Sequence, residues 1–382
     1  MTTIAFTGGG TGGHIYPGLA IAEELAAINC RAGIAPAETL RIFWIGSGKD
    51  KTYVQAAGLE FFHIPAGKLR RYFSLKTIPD FFRVIAGFFA ARRILKKEKP
   101  ALLFSKGGFV SVPPCLAAAS LRIPVFTHES DFSPGLATKI NSRFATKIFC
   151  SYQETALFFP AQCRQRVVFS GQPVRRAFRH ADPAKGRAFL GLAEQRILLV
   201  LGGSQGAREI NELIRECLPE LCQLYTVVHQ TGPGYAVESE NGNAANENVE
   251  NVNYQPYPFI WEEMPAVLAA AELVIGRSGA GTVWECAVLG KPMILIPLSG
   301  SGTRGDQVEN ARFFEKAGAA ITLCNDTANA ENLVNAVSRL AHDGATRSAM
   351  SMAALDIGRI DGAKMIANAI NNLRRDDEHF DH

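Results

Sequence analysis

Residues 7–25 read TGGGTGGHIYPGLAIAEEL and follow the short apolar run Ile4-Ala5-Phe6. Five of the six residues from 8 to 13 are glycine. Glycine forfeits backbone entropy, so such a cluster marks a tight turn or a place where a ligand approaches the backbone closely. The same order of apolar run, glycine-rich turn and helical pattern recurs at SKGGFVSVPP (105–114), LGGSQGAREIN (201–211) and VIGRSGAGTVWECAVLGKPMILIP (274–297). Alternation of short apolar runs with helical patterns predicts parallel sheets flanked by helices. Strands are expected at 3–6, 41–45, 101–104, 124–127 and 147–150, and in a second series at 197–201, 226–230, 273–275 and 293–297. The result is two similar α/β halves, each with a glycine turn after its first strand. The stretch VVFSGQPVRRAF (167–178) ends the first series and opens the second, which sets domains at 1–170 and 171–352. The polar segment 238–253 has the composition of an exposed loop.

A chain of 382 residues with 47% hydrophobic content can fill two cores. Its net charge of +4 does not by itself imply nucleic acid. Eight cysteines include no CxxC pair and no zinc-like cluster, which points to reduced thiols in a cytoplasmic setting. The first 22 residues lack any charged side chain, but they also lack a basic start, and glycines interrupt the apolar run, so a signal peptide is not expected. No other uncharged stretch has the length and apolar content of a membrane-spanning helix; the run 107–121 has 15 residues and holds two prolines.

Gly8, Gly10 and Gly13 satisfy G-x-G-x-x-G, yet the second strand ends in Gly-Ser-Gly-Lys and not in the acidic residue of a dinucleotide fold. That argues against a dehydrogenase. In open α/β sheets ligands sit beyond the carboxyl ends of the strands, so such turns on both halves suggest a cleft between domains. The helix expected to start near residues 280–282 offers free N–H groups and a favourable dipole to a diphosphate. Glu285, one turn in, either accepts hydrogen bonds from hydroxyls such as those of a ribose or merely complements that dipole. His14 follows Gly13 at a helix start, where the dipole disfavours the imidazolium and leaves a ring able to take a proton. His128 and Glu129 also follow a strand and should lie at the ligand end of the first sheet. No carboxylate pair at metal-binding spacing follows a strand.

Residues 68–99 concentrate ten Lys or Arg against Asp80 and Glu98, and interleave Tyr72, Phe73, Phe81, Phe82, Phe88 and Phe89. A basic face beside aromatic anchors suits an anionic membrane surface. The alternative is a helix whose phenylalanines fill the first core. No nucleic-acid recognition motif accompanies the charge.

The segments TGGGTGGHIYPGLAIAEEL, SKGGFVSVP, THESDFSPGLATK, GQPVR, LGGSQGAR, RSGAGTVWE and GDQVENA occur in the order and rough spacing of the MurG glycosyltransferases, which the chain resembles from about Ile4 to Gly318. The resemblance implies a GT-B fold, two Rossmann-like domains facing across a cleft, with a C-terminal helix and polar tail (353–382) returning to the first domain. It implies transfer of N-acetylglucosamine from UDP-N-acetylglucosamine to the C4 hydroxyl of lipid I, undecaprenyl-pyrophosphoryl-MurNAc-pentapeptide, giving lipid II for peptidoglycan synthesis. The enzyme would work peripherally at the cytoplasmic face of the bacterial plasma membrane, with UDP-N-acetylglucosamine as substrate, no cofactor and no required metal. By motif, Thr11, Gly12 and Gly13 would face donor sugar and diphosphate, and His14 would be the base. Ser204 and Arg175 would bind phosphate, Ala280, Gly281, Thr282 and Val283 would line the donor site, and Glu285 would hold the ribose. The Trp261 backbone would read uracil, Gln307 the sugar hydroxyls. His128, Glu129 and Phe109 fall on the acceptor side. Many members have His-Glu-Gln-Asn where this chain has His-Glu-Ser-Asp, so Asp131 replaces a sugar-contacting asparagine and, when ionised, accepts but cannot donate. Transfer to another lipid, a UDP-sugar epimerase and a nucleotide-sugar-binding protein without catalysis are the alternatives.

Overall fold

A computed structural model describes residues 2–9, 12–31, 40–48, 50–67, 77–203, 206–233, 253–300 and 303–380. The chain divides into one unit of Met1–Arg176 with Ile360–His382 and a second of Ala177–Arg359. In the first, strands β1 (Thr2–Thr7), β2 (Leu40–Gly46), β3 (Glu60–His63), β4 (Leu102–Ser105), β5 (Val125–Glu129), β6 (Lys147–Cys150) and β7 (Val167–Phe169) form one sheet. Their order is β3-β2-β1-β4-β5-β6-β7, parallel at every pairing. Side chains alternate between faces, as a strand requires. Ile4, Phe6, Trp44, Phe104 and Phe149 pack on one face with Leu19 and Ile21 of the helix Tyr16–Arg31 and with Ile366 and Ile370 of the C-terminal helix Gly362–Phe380. Ala5, Phe43, Leu103, Val125 and Ile148 pack on the other with Ala91 and Leu95 of the helix Thr77–Glu98 and Cys115 of Val112–Ser120. Both faces are thus covered by helices, and both read as apolar in the central strands.

The second unit repeats the scheme with β8 (Ile197–Leu201), β9 (Thr226–Gln230), β10 (Tyr254–Tyr257), β11 (Leu273–Gly276), β12 (Met293–Leu295) and β13 (Ala320–Thr322). Their order is β10-β9-β8-β11-β12-β13, again all parallel. Leu198, Val200, Ile275 and Ile294 meet Ile210, Ile214 and Leu221 of the amphipathic helix Arg208–Leu224 on one face. The expected strand at 293–297 ends at Leu295. All eight cysteines carry free thiols.

Each sheet reverses its order of addition once, between β1 and β4 in the first unit and between β8 and β11 in the second. The crevice beyond such a reversal is where open α/β sheets bind ligands. The four glycine-rich turns follow these four strands.

Candidate active site

In the first unit the β1 and β4 turns are in contact. The Trp44 indole donates to the Gly8 carbonyl at 3.0 Å, and the Lys106 amide donates to the Thr7 carbonyl at 2.8 Å. Gly108 has φ 76° and ψ 157°. A Cβ there would lie 2.6 Å from the Gly9 carbonyl oxygen and 3.0 Å from His14 Cδ2. Only glycine lets the β4 turn close on the histidine in this way. His14 ends the short 3-10 turn Gly12–His14, just ahead of the helix Tyr16–Arg31, and is half-buried. It therefore stands at the mouth of the β1/β4 crevice. Gly13 is exposed, Gly12 opens the same turn, and Phe109 begins another 3-10 turn immediately after Gly108. Thr11 and Ser204 lie outside the described residues.

His128 and Glu129, expected on the acceptor side, are both buried in the first unit. Both belong to β5, and His128 is wholly buried, with Nε2 3.2 Å from the Gly171 carbonyl oxygen. Burial, with the Lys106 charge beside it, holds the imidazole well below its ordinary value, so it stays neutral. Glu129 accepts from the amides of Ser130 (2.9 Å), Asp131 (3.1 Å) and Gly135 (3.0 Å). Its carboxylate ties the β5 loop, including the half-buried Asp131, into one shape. Arg175, in the segment after β7, lies over the Tyr16 ring at 4.8 Å, and Arg176 pairs with Glu24 at 3.3 Å. Tyr16 is the first residue of the helix after His14, so the arginine is steered to that end of the sheet.

In the second unit a cavity of about 390 Å³ opens beyond the β8/β11 reversal. It is lined by Gly202 and residues 206–209 after β8, by Arg277 after β11, and by Leu298 and Gln307. Arg277 is held by the Ile296 carbonyl at 3.1 Å and the Glu209 carboxylate at 2.5 Å. Gln307, in the first turn of the helix Asp306–Lys316, accepts from the Leu298 amide at 3.0 Å through its side chain and from Ser278 Oγ at 2.7 Å through its carbonyl. The amide nitrogen of Gln307 is then the end that can meet a ligand hydroxyl.

The helix Ala280–Val288 starts after β11 as expected, with Gly279 as its N-cap. Ala280 and Val283 are buried, whereas Gly281, Thr282 and Glu285 are half-buried. Trp261 is 60% exposed with its ring 4.3 Å from that of Phe259, and the neighbouring Ile260 amide donates to Gln230 at the end of β9. Two cations escaped the sequence reading, Lys106 and Arg277. Each is the residue that follows the second strand of its reversal, and the signal was there as a basic residue directly before a glycine turn.

The profile of the glycosyltransferase family 28 N-terminal domain matches residues 4–150, and that of the family 28 C-terminal domain matches residues 197–370. The chain belongs to glycosyltransferase family 28. A UDP-N-acetylglucosamine–N-acetylmuramyl-(pentapeptide) pyrophosphoryl-undecaprenol N-acetylglucosamine transferase of Treponema denticola is 50% identical over 343 residues, 85% of each chain. The transferase of the same name from Treponema pallidum is 44% identical over 375 residues, 97% of this chain and 95% of that one. Among solved structures, MurG of Acinetobacter baumannii aligns with a TM-score of 0.70 at 24% identity, covering 97% of this chain and 100% of that one. A UDP-GlcNAc 2-epimerase of Neisseria meningitidis bound to UDP-GlcNAc aligns at 0.67 and 15% identity, covering 97% and 100%. These likenesses establish the GT-B arrangement of two parallel-sheet α/β domains.

Proposed function

We propose that the chain transfers N-acetylglucosamine from UDP-N-acetylglucosamine to the C4 hydroxyl of lipid I with inversion, forming lipid II. The observation that carries this is the 44–50% identity, over 85–97% of the chain, to transferases named for that reaction. The epimerase likeness is one of fold alone, at 15% identity.

The second unit would take the donor. The first-turn N–H groups of the helix Ala280–Val288 suit the diphosphate, Glu285 the ribose hydroxyls, the Trp261 backbone the uracil edge, and Gln307 the sugar. The first unit would supply His14 as the base that removes the C4 proton. The N–H groups of the helix Ala280–Val288 suit the charge that develops on departing UDP, and we expect the reaction to need no metal. Incubation with UDP-N-acetylglucosamine should release UDP at a rate that depends on a lipid I analogue, with or without EDTA. Equal release with diacylglycerol, or none with either, would defeat the assignment.

We further propose that the first unit rests on an anionic membrane surface at the cytoplasmic face. The described part of the basic stretch is the helix Thr77–Glu98, since 68–76 lie outside the described residues. Its inner face buries Ala91 and Leu95, while Phe81, Phe82 and Phe89 are 55%, 64% and 64% exposed. Arg83 and Lys97 stand out beside them, with side chains 61% and 81% exposed. Arg83 pairs with Asp80 at 3.1 Å and Lys97 with Glu98 at 3.6 Å, yet both heads remain open to solvent, and exposed aromatics flanked by exposed cations fit the headgroup boundary. No helix among the described residues is long and apolar enough to cross a membrane.

A further inference from the structure

Lys106 is 1% exposed, an unusual place for an ammonium. It is the first residue beyond β4, and its Cβ lies where a side chain at Gly8 would have to go, 2.9 Å from a Cβ built there. Its Nζ donates to Ser130 Oγ at 2.7 Å. Ser130 in turn donates to Gln172 Oε1 at 2.7 Å, which also accepts from Ser151 Oγ at 2.9 Å. These four residues lie beyond the carboxyl ends of β4, β5, β6 and β7 in succession. One polar chain thus runs along the edge of the sheet, from the turn that closes on His14 to the segment that carries Arg175.

Lys106 is attracted by the carboxylates of Glu129 and Asp131, and the amides of the β5 loop hold the Glu129 oxygens. A buried charge is costly unless something uses it. The second unit places Arg277 at the equivalent position after β11, on the wall of its cavity.

We propose that Lys106 is a positioning residue of the transfer reaction: its ammonium offsets Glu129 and Asp131 and, through Ser130 and Gln172, ties the β4 turn to the segments after β5 and β7, so that this turn, whose Lys106 amide also holds the Thr7 carbonyl of β1, stands ready for a diphosphate or pyrophosphate group. Lys106 does not touch that group, because it is sealed behind the turn. The assignment rests on the transferase reading for its kinetics but not for its binding.

Burial lowers Lys106 to about 8, against the pull of the two carboxylates. Burial holds His128 neutral and pushes the Cys150 thiol, beside Glu129, upward, so neither of these competes with Lys106 near that pH.

The test is Lys106→Met, which keeps the length and removes the charge, together with Ser130→Ala, which keeps the charge and removes the hydroxyl that accepts from Lys106 and donates to Gln172. Lys106→Met should raise the KM for the lipid I analogue or for UDP-N-acetylglucosamine about tenfold (~1.4 kcal/mol) with a smaller change in kcat, and the substrate affected tells which anion is served. Wild-type kcat/KM should fall above pH 8 and this limb should be missing in Lys106→Met. Titration calorimetry with inorganic pyrophosphate reads the same effect without turnover, and Ser130→Ala should weaken it in the same direction by less. Wild-type constants and an intact alkaline limb in Lys106→Met would overturn the proposal, as would failure of the wild type to bind pyrophosphate. If Lys106→Met does not fold, unchanged constants in Ser130→Ala overturn it. A wild type that binds pyrophosphate with this pattern but transfers no sugar would instead defeat the transferase reading alone.

Discussion

Replacing Gly108 by alanine probes the contact between the β4 turn and His14. At φ 76° and ψ 157° the added Cβ would lie 2.6 Å from the Gly9 carbonyl and 3.0 Å from the His14 ring. The backbone conformation alone costs an L-residue ~1–3 kcal/mol, and forcing atoms into a packed turn adds about 1–3 kcal/mol. The turn can relieve the clash only by moving away from His14 or by pushing the ring aside. A displacement of roughly 1 Å in a catalytic group costs on the order of 100-fold. We therefore expect Gly108→Ala to lower kcat by about two orders of magnitude while UDP affinity, which we assign to the other unit, stays within about twofold. Gly191→Ala is the control: φ is 66° but nothing lies within 4 Å of the added atom, so only the conformational cost of about 1–2 kcal/mol applies. It should lower the unfolding midpoint and leave kcat alone. Steady-state UDP release, calorimetry with UDP and thermal melts decide the matter. Gly108→Ala with wild-type kcat and an unchanged midpoint would refute the packing argument.

His14→Ala should keep UDP binding and lose about 10²–10⁴ in kcat; wild-type turnover would remove the base assignment. Glu129→Gln puts an amide donor against the N–H groups of the β5 loop and should cost about 1–3 kcal/mol, seen as a lower thermal midpoint, and an unshifted melt would contradict that role. Because Lys106 sits at about 8 when folded, below an ordinary lysine, the unfolded chain binds more protons between there and about 10.4. Stability should therefore rise with pH across that window, and Lys106→Met should flatten the rise in denaturant melts; an equal slope in both proteins would count against it. Replacing Phe82 and Phe89 with serine should weaken sedimentation with anionic vesicles without changing the melt, whereas unchanged partition would remove the membrane face.

The nine strands expected from apolar runs all exist, and the four that were not expected are the four sheet edges, β3, β7, β10 and β13. An edge strand pairs on one side and is partly exposed, so it needs no continuous apolar run. Glu60–His63 is EFFH and Tyr254–Tyr257 is YQPY, with a proline that a central strand would not accept. The glycine turns were legible for the opposite reason. Close approach of backbone leaves no choice of residue, so the sequence marks both reversal points.

Side-chain roles were less legible than backbone ones. A residue at a strand's carboxyl end is known to lie at the ligand edge, but not whether it points outward. His128 and Glu129 hold the frame of the site from within, which becomes visible only when Gly171 and the β5 loop close over them. Lys106 and Arg277 look like surface charges in the sequence. Folding buries the first to 1% exposure and sets the second in a cavity wall.

The most direct test is the structure of the product. Incubation with UDP-N-acetylglucosamine and a lipid I analogue, followed by mass spectrometry and proton NMR of the purified lipid, should show a β-linked N-acetylglucosamine on the C4 oxygen of the muramyl sugar. An α linkage, a different hydroxyl, or an unchanged acceptor beside epimerised donor would contradict the account.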